Sequence, residues 1–145
     1  MVVAIFGESC VGKSTLAEAL KEKRTAEIFS GKDYLRLAKN ETIAKKLFQK
    51  KLMEALTGSL VIYVISEREH LSLVPDGAVR VLMTADLERI LERFTARLRG
   101  NLPDPVRTML EKKHGIFDAE PCEYHIHNNE GMEAAIEYIL SSYAH

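Results

Sequence analysis

The sequence predicts an α/β fold, a three-layer sandwich in which a five-stranded parallel sheet carries helices on both faces. Two observations predict it. Short apolar runs that read as buried strands alternate along the chain with segments of helical period. A glycine-containing turn, Gly7-Glu-Ser-Cys-Val-Gly12-Lys13, also joins the first such run directly to the first helix. A parallel sheet of this kind is buried on both faces and binds ligands beyond the carboxyl ends of its strands.

The elements follow in order. Val2 to Phe6 is an unbroken apolar run ended by Gly7, and Lys13 to Arg24 is a helix with Leu16 and Leu20 four apart. Ala26 to Ser30 reads as a weaker strand. Asp33 to about Thr57 reads as mostly helical, with Leu35, Ala38, Ile43, Leu47, Leu52 and Leu56 on its apolar side. Leu60 to Ile65 is the strongest strand, rich in β-branched residues, followed by a long loop with the turn Pro75-Asp76-Gly77. Val79 to Met83 is a further strand. Asp86 to Leu98 is the clearest helix, with Leu87, Ile90, Leu91, Phe94 and Leu98 in one stripe. After the break at Gly100 to Pro105 come a helix over Val106 to His114 and a strand over Glu123 to His127. A last helix carries Met132, Ile136 and Ile139 and is capped by Asn128 or Asn129.

At 145 residues the chain reads as one domain, residues 1–145. Hydrophobic residues at 46% and charged residues at 28% fit a soluble globular protein and exclude a disordered one. A net charge of −1 argues against binding nucleic acid or membrane by bulk charge. Two cysteines, Cys10 and Cys122, suit a reducing compartment, and the first residues lack the basic flank of a secretory signal. The expectation is a cytoplasmic protein, monomeric or weakly dimeric, with no membrane and no nucleic-acid partner.

The stretch Gly7 to Thr15 fits G-x-x-x-x-G-K-[ST] between a strand and a helix. Gly7 permits a sharp turn and Gly12 lets backbone approach a phosphate. The loop amides of Gly7, Glu8, Ser9, Cys10, Val11, Gly12, Lys13, Ser14 and Thr15 form an anion cradle, reinforced by the helix N-terminus. Lys13 supplies a point charge for terminal phosphates, and the Ser14 hydroxyl can ligate Mg²⁺. Cys10 reads as a small loop residue. This motif on this sheet defines the P-loop NTPase sandwich, but such loops serve motors, switches and kinases alike.

Arg89, Arg93 and Arg97 recur every four residues on one helix face. Asp86 and Glu92 relieve Arg89, whereas Arg93 and Arg97 have no acidic residue three or four positions away. Two uncompensated guanidinium groups on a helix that points at the strand tips suit phosphate oxygens. Asp33 and Arg36, three apart after the second strand, can face the same cleft and hold an acceptor. They can equally be a helix cap and a surface charge. Glu67 and Arg68 end the third strand where an aspartate often supports the metal, and read either as substitutes for it or as loop charges. His125 and His127 share a strand face with no further ligands at metal spacing. Lys39 to Lys51 reads as a solvated basic face, and no Lys or Arg follows Lys113.

These residues together resemble the small nucleoside monophosphate kinases of the adenylate and cytidylate type over nearly the whole chain. Ser30-Gly-Lys-Asp33-Tyr-Leu-Arg36 resembles the family's segment after the second strand, and Asp86 to Arg97 the helix leading into its lid. Tyr124-His-Ile-His-Asn128-Asn129 resembles the final strand and the loop near the donor base. The resemblance implies ATP as donor with Mg²⁺, Arg36 on the acceptor phosphate, Asp33 near the metal, and Lys13, Arg93 and Arg97 on the donor and transferred phosphates. Arg68 is a second acceptor candidate and Arg107 a lid candidate. The acceptor-binding segment, about 34–58, and the lid, about 97–115, are both short for that family. Its aspartate after the third strand has no counterpart. The expected activity is transfer of the γ-phosphoryl group of ATP to a small acceptor, foremost a nucleoside monophosphate. Two alternatives are a kinase of a non-nucleotide metabolite of the shikimate, gluconate or dephospho-coenzyme A type, and an ATP-binding module with little catalysis.

Overall fold

The computed structural model describes residues 1–143. Strands β1 (Val2–Phe6), β2 (Ala26–Ser30), β3 (Leu60–Ile65), β4 (Val79–Thr84) and β5 (Tyr124–His127) form one sheet in the order β2-β3-β1-β4-β5. Every pairing is parallel, with Ile5 opposite Val64 on one side and Val81 on the other. The helices are α1 (Lys13–Lys23), α2 (Glu41–Ala55), α3 (Leu87–Arg97), α4 (Asp104–Lys113) and α5 (Met132–Tyr143). The predicted fold class is therefore the observed one. Strand β1 lies centrally, where the chain order reverses, so its carboxyl end and the loop after it open into the crevice where such sheets bind ligands.

Alternation along the strands separates two cores. Val3, Ile5, Ile62 and Val81 point to one face, where they meet Leu16 and Leu20 of α1 and Ile136 and Ile139 of α5. Val2, Ala4, Phe6, Tyr63 and Leu82 point to the other, against Phe48 and Leu52 of α2 and Phe117. Among the described residues no helix is long and apolar enough to cross a membrane.

Several expectations need correction. The segment from Asp33 is two elements, a 3-10 turn over Asp33–Leu37 and α2. Ala38 is extended between them, and the Asn40 side chain caps α2 by accepting the Ile43 N–H at 3.0 Å. The buried side of α2 is Ala44, Phe48, Leu52 and Ala55, while Ile43 and Leu47 are 52% and 44% exposed. The aromatic cluster explains that phase. Phe48 sits 4.9 Å from Phe29, 5.8 Å from Tyr34 and 4.8 Å from Tyr63, a larger apolar payload than Ile43 or Leu47 offers.

The loop after β3 also contains a 3-10 turn, Arg68–Leu73. In the α3 stripe Ile90 is buried and Leu91 and Phe94 pack partly buried against the core, while Leu98 is exposed. Neither Asn128 nor Asn129 caps α5. Both hold left-handed backbone, at φ 52° and 61°, and the Ala135 N–H reaches the Gly131 carbonyl instead.

Candidate active site

The phosphate loop has the backbone its glycines foretell. A Cβ on Gly7 would fall 2.2 Å from the Met83 carbonyl oxygen, so only glycine lets the loop leave β1 beside β4. Gly12 has φ +103°, and a Cβ there would fall 2.3 Å from Asn129 Oδ1. No side chain caps α1, which leaves its first-turn N–H groups directed at the cleft.

Lys13 is buried, and its Nζ donates to the carbonyl oxygens of Gly7, at 2.7 Å, and Glu8. Burial pushes its pKa down to about 8. The Arg97 charge adds to that, while Cys10 and Glu8 oppose it. Arg93 Nη1 donates to the Cys10 carbonyl at 2.9 Å.

These groups line a cleft of about 680 Å³, a volume suited to a cofactor-sized ligand. Ser9, Cys10 and Gly12 to Thr15 form one wall. Ser30, Gly31, Val64 and Ser66, at the ends of β2 and β3, form the opposite one. Arg93 and Arg97 reach in from α3, and Asn129 from the turn after β5. The charged lining side chains are Lys13, Arg93 and Arg97, all cations, so the lining attracts a polyanion.

The other expected residues lie around this cleft. Glu8 turns away from it: its carboxylate is buried, accepts the Gly115 N–H at 3.0 Å and lies 3.0 Å from His114 Nδ1. Asp33 accepts the Ser30 N–H at 2.8 Å and so closes the turn that forms the far wall. Arg36 stands outside the lining, 3.6 Å from the Glu27 carboxylate, with its guanidinium 4.3 Å from the Phe29 ring centre. Arg68 is also outside it, 3.0 Å from Glu120. Ser66 and His114 are the residues that motif reading passed over. Ser66 directly follows the strongest strand, and position alone marks it, since the first residue beyond a parallel strand borders the crevice.

The donor set fits Mg²⁺ only in a particular way. Among the described residues no group of three or more His, Cys, Asp or Glu side chains could hold a metal. The cleft offers neutral hydroxyls, Ser14 foremost. Mg²⁺ commonly takes one or two protein ligands and completes its shell with water and substrate phosphates. Ser14 therefore suits a Mg²⁺ that arrives on a polyphosphate.

No protein-family model and no curated protein sequence matches this chain. Solved structures do resemble it. The shikimate kinase of Acinetobacter baumannii, solved with shikimate, is 16% identical and has a TM-score of 0.62, covering 97% of this chain and 93% of that one. A gluconokinase from Sinorhizobium meliloti is 14% identical with a TM-score of 0.59, covering 99% and 91%. The YorR protein of Bacillus subtilis, in complex with phosphorylated GDP, is 18% identical with a TM-score of 0.58, covering 99% and 96%. The chain thus has the fold of the P-loop kinases, over more than nine-tenths of the length of these neighbours. These similarities carry the fold and do not single out the adenylate and cytidylate kinases within it.

Proposed function

We propose that this protein is a small-molecule kinase that transfers the γ-phosphoryl group of ATP to a hydroxyl of a small polar metabolite. The observation that carries the reading is the convergence of Lys13, Arg93 and Arg97 on one cleft beside the phosphate loop. Phosphoryl transfer needs positioning and neutralisation of charge on the moving group, and three fixed cations with an amide cradle supply both. Ser14 would hold a Mg²⁺, whose charge would help neutralise the donor phosphates. Lys13 and the loop amides hold the donor, and Arg93 and Arg97 face the transferred group.

A non-nucleotide acceptor is favoured over a nucleoside monophosphate by the far wall. Ser30, Gly31, Val64 and Ser66 bring hydroxyl, backbone and apolar groups there and no cation, while Arg36, the residue expected to hold an acceptor phosphate, pairs with Glu27. Neighbours named as shikimate kinase and gluconokinase support the same reading. A nucleotide acceptor is the second reading, favoured by the neighbour solved with phosphorylated GDP. Arg36 would then have to leave an exposed ion pair, a cheap step. Asp33, through the turn it closes, would place the acceptor against the donor. Acceptor-dependent ADP release across hydroxy acids, sugars, polyols and nucleoside monophosphates, with Lys13→Ala as control, tests the proposal.

A further inference from the structure

The junctions after β4 and β5 are joined by a chain of polar contacts that the proposed reaction does not itself use. His125 Nε2 lies 2.7 Å from Thr84 Oγ1, and that oxygen lies 2.8 Å from His127 Nδ1. His127 Nε2 lies 3.1 Å from Asp86 Oδ1. Asn128 Nδ2 donates to Asp86 Oδ2 at 3.0 Å, and the Asp86 N–H donates back to Asn128 Oδ1 at 3.0 Å.

The carboxylate fixes the direction of the contact it makes with His127. An ionised carboxylate only accepts, so His127 donates from Nε2 to Asp86. The Thr84 hydroxyl links the two histidine rings. The Asp86 carboxylate is thus the shared acceptor of His127 and Asn128. The Asn128 bond, and after it His127, hold the Asp86 carboxyl below its ordinary pKa. Asp86 occupies the cap position of α3 yet makes no side-chain capping bond, so its carboxylate is spent on the neighbouring turn.

That turn ends on the phosphate loop. Asn128 and Asn129 both adopt left-handed backbone, which asparagine tolerates better than other residues with a Cβ. The Asn128 N–H donates to the Thr84 carbonyl at 2.9 Å, and Arg89 Nη1 donates to the Asn128 carbonyl at 3.0 Å. Held this way, Asn129 borders the cleft with its Oδ1 seated on Gly12, buried and without a hydrogen-bond partner. A buried amide oxygen that lacks a donor does not choose that seat for its own hydrogen bonding. The backbone at Asn128 imposes it.

We infer that Asp86 and His127 are positioning residues for nucleotide binding: through Asn128 they press Asn129 onto Gly12 and so set the shape of the phosphate cradle from outside the cleft. The inference rests on the reading of that cradle as the nucleotide site. It is tested by titration calorimetry of Mg·ADP against the wild type, Asp86→Ala, His127→Ala, Asn129→Ala and the double variant Asp86→Ala/Asn129→Ala. Binding is measured directly, so no acceptor need be known.

Asp86→Ala and His127→Ala should each weaken ADP by about tenfold, the scale of losing a buttressing contact to a binding group. Asp86→Asn, which keeps one acceptor oxygen, should recover part of that loss. The double variant should bind no more weakly than the weaker single one, because both substitutions break the same linkage. In turnover the ATP KM should rise while kcat holds. Wild-type affinity in Asp86→Ala, or losses that simply add in the double variant, overturns the inference and leaves the proposed function standing. A wild type that binds no ADP overturns the proposed function and this inference with it. Asp86 is 64% exposed, and Asp86→Asn serves as the working variant if Asp86→Ala does not fold.

Discussion

Arg93 Nη1 donates to the carbonyl of Cys10 at 2.9 Å, a bond across 83 positions of sequence that joins α3 to the phosphate loop. The carbonyl it grasps belongs to a residue with left-handed backbone, φ +64°. The guanidinium thereby stands at the cleft with most of its orientation already set, as the proposed charge-stabilising role requires.

Arg93→Ala should lower kcat by two orders of magnitude or more, in the range of arginines that stabilise transferring phosphoryl groups. Arg93→Lys should recover little, since a point charge cannot span the carbonyl and a phosphate as a planar fork does. Coupled detection of ADP under saturating acceptor measures it. Wild-type-like kcat in Arg93→Ala would remove the assigned role.

Lys13 makes two predictions that share a cause. Its pKa in the folded chain, about 8, lies below the ordinary value of 10.5, so the unfolded chain binds the proton more tightly. Stability therefore rises with pH between about 8 and 10.5 and gains nothing from this group below that window. The gain is at most about 3 kcal/mol. It should appear as the difference between wild type and Lys13→Met in urea unfolding at pH 7.5 and 9.5. Polyphosphate stabilises the charged form, so ATP affinity should be flat below about pH 8 and fall above it. An affinity that rises with pH above 8 contradicts this sign.

Two glycines separate backbone strain from lost space. Gly12→Ala must accept φ +103° and a Cβ 2.3 Å from Asn129 Oδ1, so it should lose nucleotide binding and fold less stably. Gly100 has φ +88° with nothing within 4 Å of a Cβ. Gly100→Ala should cost only about 1 kcal/mol of backbone strain, with binding unchanged. Thermal melts with and without ADP distinguish the two.

Glu8 should matter to the fold more than to the nucleotide. Glu8→Ala leaves the Gly115 N–H and His114 without their acceptor, at a cost of about 1–3 kcal/mol. The segment after α4 should then exchange its amide protons faster, which deuterium exchange over residues 111–118 reads directly. Unchanged exchange there would mean the carboxylate holds nothing.

The fold was legible because two signals agreed: apolar runs of strand length, and a loop whose glycines occupy positions that exclude a Cβ. That Lys13 lines the cleft was legible from its motif, and that Arg93 and Arg97 do so from local spacing, which exposes a charge with no local partner. Arg36 and Glu8 show where that reasoning stops. Their partners, Glu27 across the β2 edge and His114 some hundred residues away, are set by tertiary packing that no sequence period encodes. The face of α2 was misjudged for the same reason. Phe48 is ordinary in the pattern, and only the sheet aromatics it meets make it the centre of that core.

The acceptor decides the account, and ADP release driven by an acceptor panel tests it most directly. Purified protein with Mg·ATP should release ADP in the presence of a hydroxy acid, sugar or polyol, with Lys13→Ala silent under the same conditions. ADP release confined to nucleoside monophosphates would contradict the non-nucleotide acceptor, and ADP release that no acceptor stimulates would contradict the kinase itself.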